Sequence, residues 1–220
     1  MRIYKAIFLS LCTAISTQVA AIDFHGYFRS GVGSNNKGGD QACFRLPGAQ
    51  SDYRLGNECE TYGSLKFSER INKGEDGSWF KVQTQFAFQT AGEKDFEDYD
   101  TAMREVYVEG GGLMDGRWKD TRFWVGKRLL RQDVHMTDFF YWDNSGVGGG
   151  FDNLIFNNVK VSYSLIHNVK DGFNDTGAPV NNGSDRAITT HDLRFYDINT
   201  NPNGKLTVGL AAINANDSTN

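Results

Sequence analysis

The chain has 220 residues and a formal net charge of −4, which argues against nucleic-acid binding, because that function needs an excess of basic side chains. Its 25 glycines, 16 phenylalanines, nine tyrosines and only three prolines indicate an all-β protein rich in aromatic residues. No run of 18 apolar residues follows the N-terminus, which excludes transmembrane helices. A membrane barrel stays possible, because its wall alternates apolar and polar residues.

Residues 1–21 have the features of a signal peptide. Arg2 and Lys5 precede an apolar segment at residues 6–15, and Val19-Ala20-Ala21 is a small-residue cleavage site. Cleavage there leaves Ile22 as the first residue of the mature protein. The pattern therefore predicts export from the cytoplasm.

The cysteines follow from that export. Cys12 is discarded with the signal peptide; a lipoprotein site at Cys12 is the alternative, although Leu11 is unfavourable directly before a lipidated cysteine. Exported proteins meet an oxidising compartment, so Cys43 and Cys59 are expected to pair and to close a small loop. Two free thiols are the alternative.

Alternation with a period of two runs through the mature chain. In the first strand one face carries Asp23, His25, Tyr27 and Arg29, and the other carries Ile22, Phe24, Gly26 and Phe28. The pattern predicts nine strands, at residues 22–29, 58–67, 80–89, 104–109, 121–128, 151–156, 159–168, 187–198 and 206–214. No segment has convincing helical periodicity.

The connections between these strands alternate in length. Short ones lie at residues 73–77, 110–120, 157–158 and 201–204, and long ones at 34–57, 90–103, 127–150 and 169–186. Short turns at one end and long loops at the other are typical of an outer-membrane barrel. A soluble β-sandwich is the alternative, but it would leave the polar, tyrosine- and arginine-bearing faces in bulk water without a purpose.

One stretch, residues 126–143, reads GKRLLRQDVHMTDFFYWD and fits neither a strand nor a helix period. It mixes charged and aromatic side chains, which suits a ligand with polar edges and apolar faces, such as a sugar. An ordinary exposed loop is the alternative. Asp133 and Asp138 could also be the carboxylate pair of a glycoside hydrolase. The neighbouring arginines favour permanent ionisation, however, and a general acid must hold a proton.

Three segments resemble the maltoporins of the sugar-porin family: IDFHGYFRSGVG from Ile22, GAQSDYRLGNECETY at residues 48–62, and the stretch at 126–143. The resemblance covers the mature chain. It implies a transmembrane antiparallel barrel of about 18 strands, of which residues 22–220 would supply the N-terminal half, about nine strands, including an inward-folded constriction loop at about 127–150. We expect such a half not to form a pore alone, because its open edges would leave backbone groups unpaired in lipid.

The resemblance also assigns an aromatic slide for the sugar. Tyr27 and Tyr62 match two of its rungs, and Phe96 matches a rung that a neighbouring subunit supplies and that is usually Trp. Phe offers less ring area than Trp, so we expect a weaker first sugar contact.

The polar track beside the slide is carried over residue by residue. Its members are Arg29, Arg54, Arg104, Arg131, Asp133, His135, Asp138, Phe140 and Asp143. Two positions depart from the family: Ser64 replaces a common acidic residue, and Phe140 replaces a constriction Tyr, which leaves the eyelet narrow but less polar. Arg104 is in phase with Val106 and Val108, so strict alternation does not aim it at the lumen unless it precedes the strand.

The resemblance thus predicts a passive outer-membrane channel for maltose and maltodextrins in a Gram-negative bacterium, a homotrimer in contact with outer-membrane lipid, and not an enzyme. It implies no cofactor, no metal and no energy coupling, and long loops make such proteins possible phage receptors. A sucrose or β-glucoside porin and a general diffusion porin are the alternatives. Arg131 and Asp143 are maltoporin-like at positions where sucrose-type relatives differ.

Overall fold

The computed structural model describes residues 22–31, 33–39, 41–43, 59–90, 96, 98–134, 136, 139–170 and 186–216. In this part of the chain the strands are β1 (Asp23–Arg29), β2 (Thr61–Lys73), β3 (Trp79–Thr90), β4 (Asp100–Gly111), β5 (Arg122–Arg128), β6 (Arg131–Val134), β7 (Phe139–Asp143), β8 (Gly146–Phe156), β9 (Val159–Lys170), β10 (Arg186–Asn201) and β11 (Gly204–Asn216). A 3-10 turn, Gly116–Trp118, lies between β4 and β5.

Nine of these strands form one sheet in the order β1-β2-β3-β4-β5-β8-β9-β10-β11, while β6 and β7 form a separate two-stranded sheet. All neighbours are antiparallel. Every strand of the large sheet therefore pairs with its neighbour in sequence, except that β5 pairs with β8 across the small hairpin. The nine predicted strands are confirmed, and the β6–β7 hairpin lies within the stretch for which no period was found.

The two faces of the large sheet differ in chemistry. Glu105, Tyr107 and Glu109 of β4 are buried on one face, whereas Val106 and Val108 between them are exposed on the other. Opposed residues of antiparallel strands share a face, and the pairs Arg29↔Tyr62 and Tyr62↔Gln89 continue the polar face across β1, β2 and β3. Exposed large apolar side chains recur on the opposite face, Val125 and Leu210 among them. This is the pattern of a barrel wall between lipid and lumen.

The turn at Asn157-Asn158 shows how the short connections are made. Both residues have positive φ, 47° and 67°, as a two-residue type I′ hairpin requires, and asparagine adopts this conformation more readily than most residues. A two-residue turn is favoured here because the backbone twist of a type I′ turn matches the twist of the flanking strands β8 and β9.

Two long loops are shorter than predicted. The loop predicted at 127–150 ends earlier, since β8 begins at Gly146, and β4 begins at Asp100, inside the loop predicted at 90–103. Glycine is a poor strand former, which is why the run at 146–150 looked like a loop. It is a strand because both neighbours pair with it, and a Cβ at Gly148 would lie 1.9 Å from the carbonyl oxygen of Leu165.

Arg104 corrects a third expectation. It does not precede the strand but lies inside β4, at a register shift where Gln85 pairs with Glu105 and Phe86 pairs with Met103. Arg104 is thus the extra residue of a β-bulge, which interrupts the alternation of side chains. Its spacing from Val106 therefore does not determine which face of the sheet carries the Arg104 side chain.

Cys43 and Cys59 form a disulfide with their Cα atoms 5.8 Å apart, as the sequence predicted. Among the residues described, no helix has the length and apolar character needed to cross a membrane.

Candidate functional site

Tyr27 and Tyr62 meet on the polar face where β1 and β2 pair. Their ring centroids are 6.1 Å apart with a tilt of 55°, because Tyr27 lies opposite Ser64 and Tyr62 lies opposite Arg29 in the register. Tyr27 is exposed and Tyr62 half-buried. The two rings therefore offer adjacent apolar surfaces on an otherwise polar wall.

Arg29 adds charge beside this pair. Its guanidinium carbon lies 5.0 Å from the centroid of the Tyr62 ring, and it forms an ion pair with Glu60. Burial raises the pKa of the Glu60 carboxyl, but backbone hydrogen bonds and the Arg29 guanidinium lower it more, so that the pKa lies below its ordinary value. Glu60 is therefore ionised at neutral pH, and the tyrosine pair is flanked by a donor and an acceptor.

The other predicted members near this site are placed differently. Phe96 is 94% exposed, outside the sheet, so its ring does not join the tyrosine pair within this chain. Ser64 is buried on the wall and accepts a hydrogen bond from Gln85 Nε2 at 2.7 Å. Arg54 lies outside the described residues.

The β6–β7 hairpin brings together the second group of predicted residues. Arg131 Nε is 2.9 Å from Asp143 Oδ2, and the two residues are paired in the register. The Arg131 guanidinium also lies over the Phe140 ring, 4.7 Å from its centroid. Asp133 is opposite Phe140, while His135 and Asp138 lie outside the described residues.

The hairpin is packed against the polar face of the large sheet. Leu130, just before β6, contacts a cluster of Tyr107, Trp124 and Ile166, the only buried apolar cluster in the described part of the chain. Gly126 and Gly148, opposite Tyr107 and Ile166, leave this area free of further side chains. Glycine is required at Gly126 because its φ is +131° and a Cβ would lie 2.3 Å from the carbonyl oxygen of Val106.

Polar contacts complete the attachment. The backbone N–H of Leu129 donates to Glu105 Oε1 at 3.2 Å, and the indole N–H of Trp142 donates to Asp192 Oδ2 at 3.0 Å. Asn144 N–H donates to the Leu130 carbonyl at 2.9 Å, which closes the base of the hairpin. The hairpin is therefore held by β4 on one side and by β10 on the other.

Three buried wall carboxylates were missed by the sequence reasoning, and two of them, Glu105 and Asp192, make these contacts. Glu105, Glu109 and Asp192 are only 3%, 2% and 3% exposed. Glu105 pairs with Lys66 Nζ at 3.1 Å and accepts from Gln83 Nε2 at 2.8 Å. The alternation of Glu105 and Glu109 with valines on β4 was the available signal, because an acidic residue in that phase must face the polar side.

A cavity of about 370 Å³ lies between the hairpin and the wall strands β5, β8, β9 and β10. Arg128 and Asp152, 2.8 Å apart, form part of its lining, as do Asp192 and Arg194, also 2.8 Å apart. These two pairs of lining charges therefore neutralise each other.

Residues 22–220 match the family described as LamB porin. The chain belongs to the LamB porin family. The match covers all the strands of the large sheet, so the sheet is part of an outer-membrane β-barrel, with its apolar face toward lipid and its polar face toward the lumen. A soluble sandwich is thereby excluded.

Membership of the family also decides the class of function. LamB porins transport sugars and in general form trimers, and this protein is an outer-membrane sugar porin, not an enzyme. The glycoside-hydrolase interpretation of Asp133 and Asp138 is therefore rejected.

Proposed function

We propose that this porin conducts maltose and maltodextrins by facilitated diffusion along a ladder of aromatic rings. The observation that carries the proposal is the Tyr27–Tyr62 pair on the lumen face, with Arg29 and Glu60 beside it. Glucose units in an α-linked chain have apolar C–H faces and hydroxyl edges. The rings can contact the faces while the charged groups exchange hydrogen bonds with the hydroxyls.

Weak, repeated contacts suit transport better than one strong site. A channel must bind its solute well enough to attract it and loosely enough to release it. Aromatic contacts contribute roughly 0.5–1.5 kcal/mol beyond area burial, which is in the range that permits rapid release. The mechanism thus needs only a sequence of similar sites and the gradient of the sugar.

We further propose that the β6–β7 hairpin is the constriction of the channel. Its attachment to the lumen face by Leu130 and Trp142 supports this role. Arg131 and Asp143 would then supply paired charges at the narrowest point. Phe140 under the Arg131 guanidinium would supply an apolar surface.

We propose a homotrimer in which Phe96 contributes to the slide of a neighbouring subunit. Its near-complete exposure supports this role, since an apolar ring of this size gains from being covered in the assembly. A porin of the same fold that prefers sucrose or β-glucosides is the second candidate. It is favoured by Phe140, which removes a hydroxyl from the constriction.

The test is a planar-bilayer recording of the full-length channel, titrated with maltotriose and separately with sucrose. Maltotriose should block ion current at lower concentration than sucrose, because three linked rings can occupy more of the ladder than a disaccharide. Stronger block by sucrose would favour the second candidate. No block by any sugar would contradict both.

A further inference from the structure

We propose that Asp192 of β10 is a positioning residue, which sets the geometry of the constriction hairpin through Trp142. The two residues are 50 positions apart in sequence, and the indole N–H donates to the carboxylate at 3.0 Å. The sugar readout of this inference rests on the proposed function; the contact itself does not.

The carboxylate of Asp192 is suited to hold a side chain in one orientation. It is 3% exposed, so water competes little for its oxygens. Arg194 donates to both of these oxygens, from Nη2 to Oδ2 at 2.8 Å and from Nε to Oδ1 at 3.1 Å. A hydrogen bond from the indole to a carboxylate oriented in this way is stronger than a bond between neutral groups.

Arg194 also contacts the indole ring directly. Its guanidinium carbon lies 5.1 Å from the centroid of the Trp142 ring. Trp142 is therefore held at its N–H by Asp192 and at its ring by Arg194, both from the lumen face of β10. A cation above an indole adds to the hydrogen bond and restricts the ring to one orientation.

The position of Trp142 in the hairpin explains why this contact matters. It is paired with Gln132 on β6, one residue from Arg131, and it precedes Asp143 on β7. The contacts of Leu129 and Asn144 hold the base of the hairpin, whereas the Trp142 contact acts on the strand that carries Phe140 and Asp143. Without it, the base stays attached while the constriction residues gain freedom.

The wall provides a matched control. Asp152 pairs with Arg128 at 2.8 Å, as Asp192 pairs with Arg194 at 2.8 Å. Both are aspartate–arginine pairs on lumen-facing strands, and Asp152 is on β8, next to β5. Within the described part of the chain, Trp142 donates to the Asp192 pair and not to the Asp152 pair, so comparing the two variants separates loss of charge from loss of positioning.

The experiment compares Trp142→Phe, Asp192→Asn and Asp152→Asn with the wild type, all as full-length channels in planar bilayers. Trp142→Phe keeps an aromatic ring and the net charge but removes the donor. We expect Trp142→Phe and Asp192→Asn to increase open-channel current fluctuations and to weaken maltotriose block by about threefold or more. Asp152→Asn should stay within about twofold of the wild type in block.

Ion selectivity provides the readout that distinguishes the mechanism. Asp192→Asn and Asp152→Asn each remove one negative charge and should shift the anion-to-cation permeability ratio alike. Trp142→Phe should leave that ratio unchanged while its sugar block and current noise change. Charge at the lumen and position of the hairpin are thereby measured separately.

Two results would overturn the inference: wild-type block and noise in Trp142→Phe, or equal effects of Asp192→Asn and Asp152→Asn on sugar block. If Asp192→Asn fails to insert, Trp142→Phe decides alone. If the wild type shows no maltotriose block, the proposed function fails, and the noise of Trp142→Phe relative to the wild type still decides the positioning role.

Discussion

Replacing Tyr62 with alanine tests the aromatic ladder most directly. The Arg29 guanidinium carbon lies over its ring, 5.0 Å from the centroid, and the Tyr27 ring is tilted by 55° with its centroid 6.1 Å away. Tyr62 stays partly exposed, and we expect its accessible ring surface to contact a single glucose unit. The variant removes that surface, while Arg29 keeps its ion pair with Glu60.

The size of the effect follows from the contact that is lost. A pyranose face covers about 50 Å² of apolar surface, worth about 1.3 kcal/mol at 25 cal/mol per Å², and the aromatic contribution adds about 0.5–1.5 kcal/mol. The other rungs and water compensate part of this. We therefore expect a loss of about 1–2 kcal/mol, which corresponds to roughly five- to 30-fold weaker maltotriose block.

The assay is the concentration of maltotriose that halves the ion current of full-length channels. Conductance without sugar should rise only modestly, because the hairpin residues are untouched. Tyr62→Phe is the control: it keeps the ring and should stay within about twofold of the wild type. Unaltered block in Tyr62→Ala would refute the reasoning, since it would mean that the Tyr62 ring does not contact the sugar.

Three further results are expected. Arg131→Ala should weaken sugar block and also shift ion selectivity away from anions. Arg131→Lys should retain the selectivity and lose only part of the block, because lysine keeps the charge without the planar fork of donors. An unchanged selectivity in Arg131→Ala would place that charge away from the constriction. Replacing Cys43 and Cys59 by serine should lower the free energy of unfolding by about 3 kcal/mol, the chain-entropy value for a loop of about 15 residues, and identical denaturation of variant and wild type would contradict this. The folded-state pKa of Glu60 lies below its ordinary value of 4.5, so its ion pair with Arg29 stabilises the fold above pH 4.5, and this stability is lost as the pH falls through the lowered pKa. Glu60→Gln should therefore reduce the acid dependence of the melting temperature. Equal pH profiles of the melting temperature in variant and wild type would contradict this prediction.

The wall of the barrel could be predicted because its side chains alternate between two very different environments. Lipid on one side and water on the other impose a period of two along the wall strands. The first strand shows this: its predicted polar face, with Tyr27 and Arg29, lies opposite Ser64 and Tyr62 in the register. The face on which Tyr27 and Tyr62 lie therefore follows from the alternation, whereas their proposed role as rungs came from the resemblance to the sugar porins.

The bulge at Arg104 shows where this reasoning stops. An inserted residue shifts the phase by one, and a fixed period cannot represent that shift. The sequence does show the irregularity. Met103 and Val106 are both apolar residues of β4, but two residues lie between them, and strict alternation would place an odd number there. The phase slip identifies an irregularity, but its position depends on the partner strand β3.

The hairpin is harder still, because its position is determined by contacts that are distant in sequence. Trp142 meets Asp192 across 50 residues and Leu129 meets Glu105 across 24. Nothing local marks Asp192 as a partner, since on β10 it is one more polar residue in the lumen phase. The side chains that we propose to line the constriction could be named from the resemblance to the sugar porins. The wall carboxylates that hold the hairpin could be recognised only once the sheet had brought β4 and β10 to opposite sides of it.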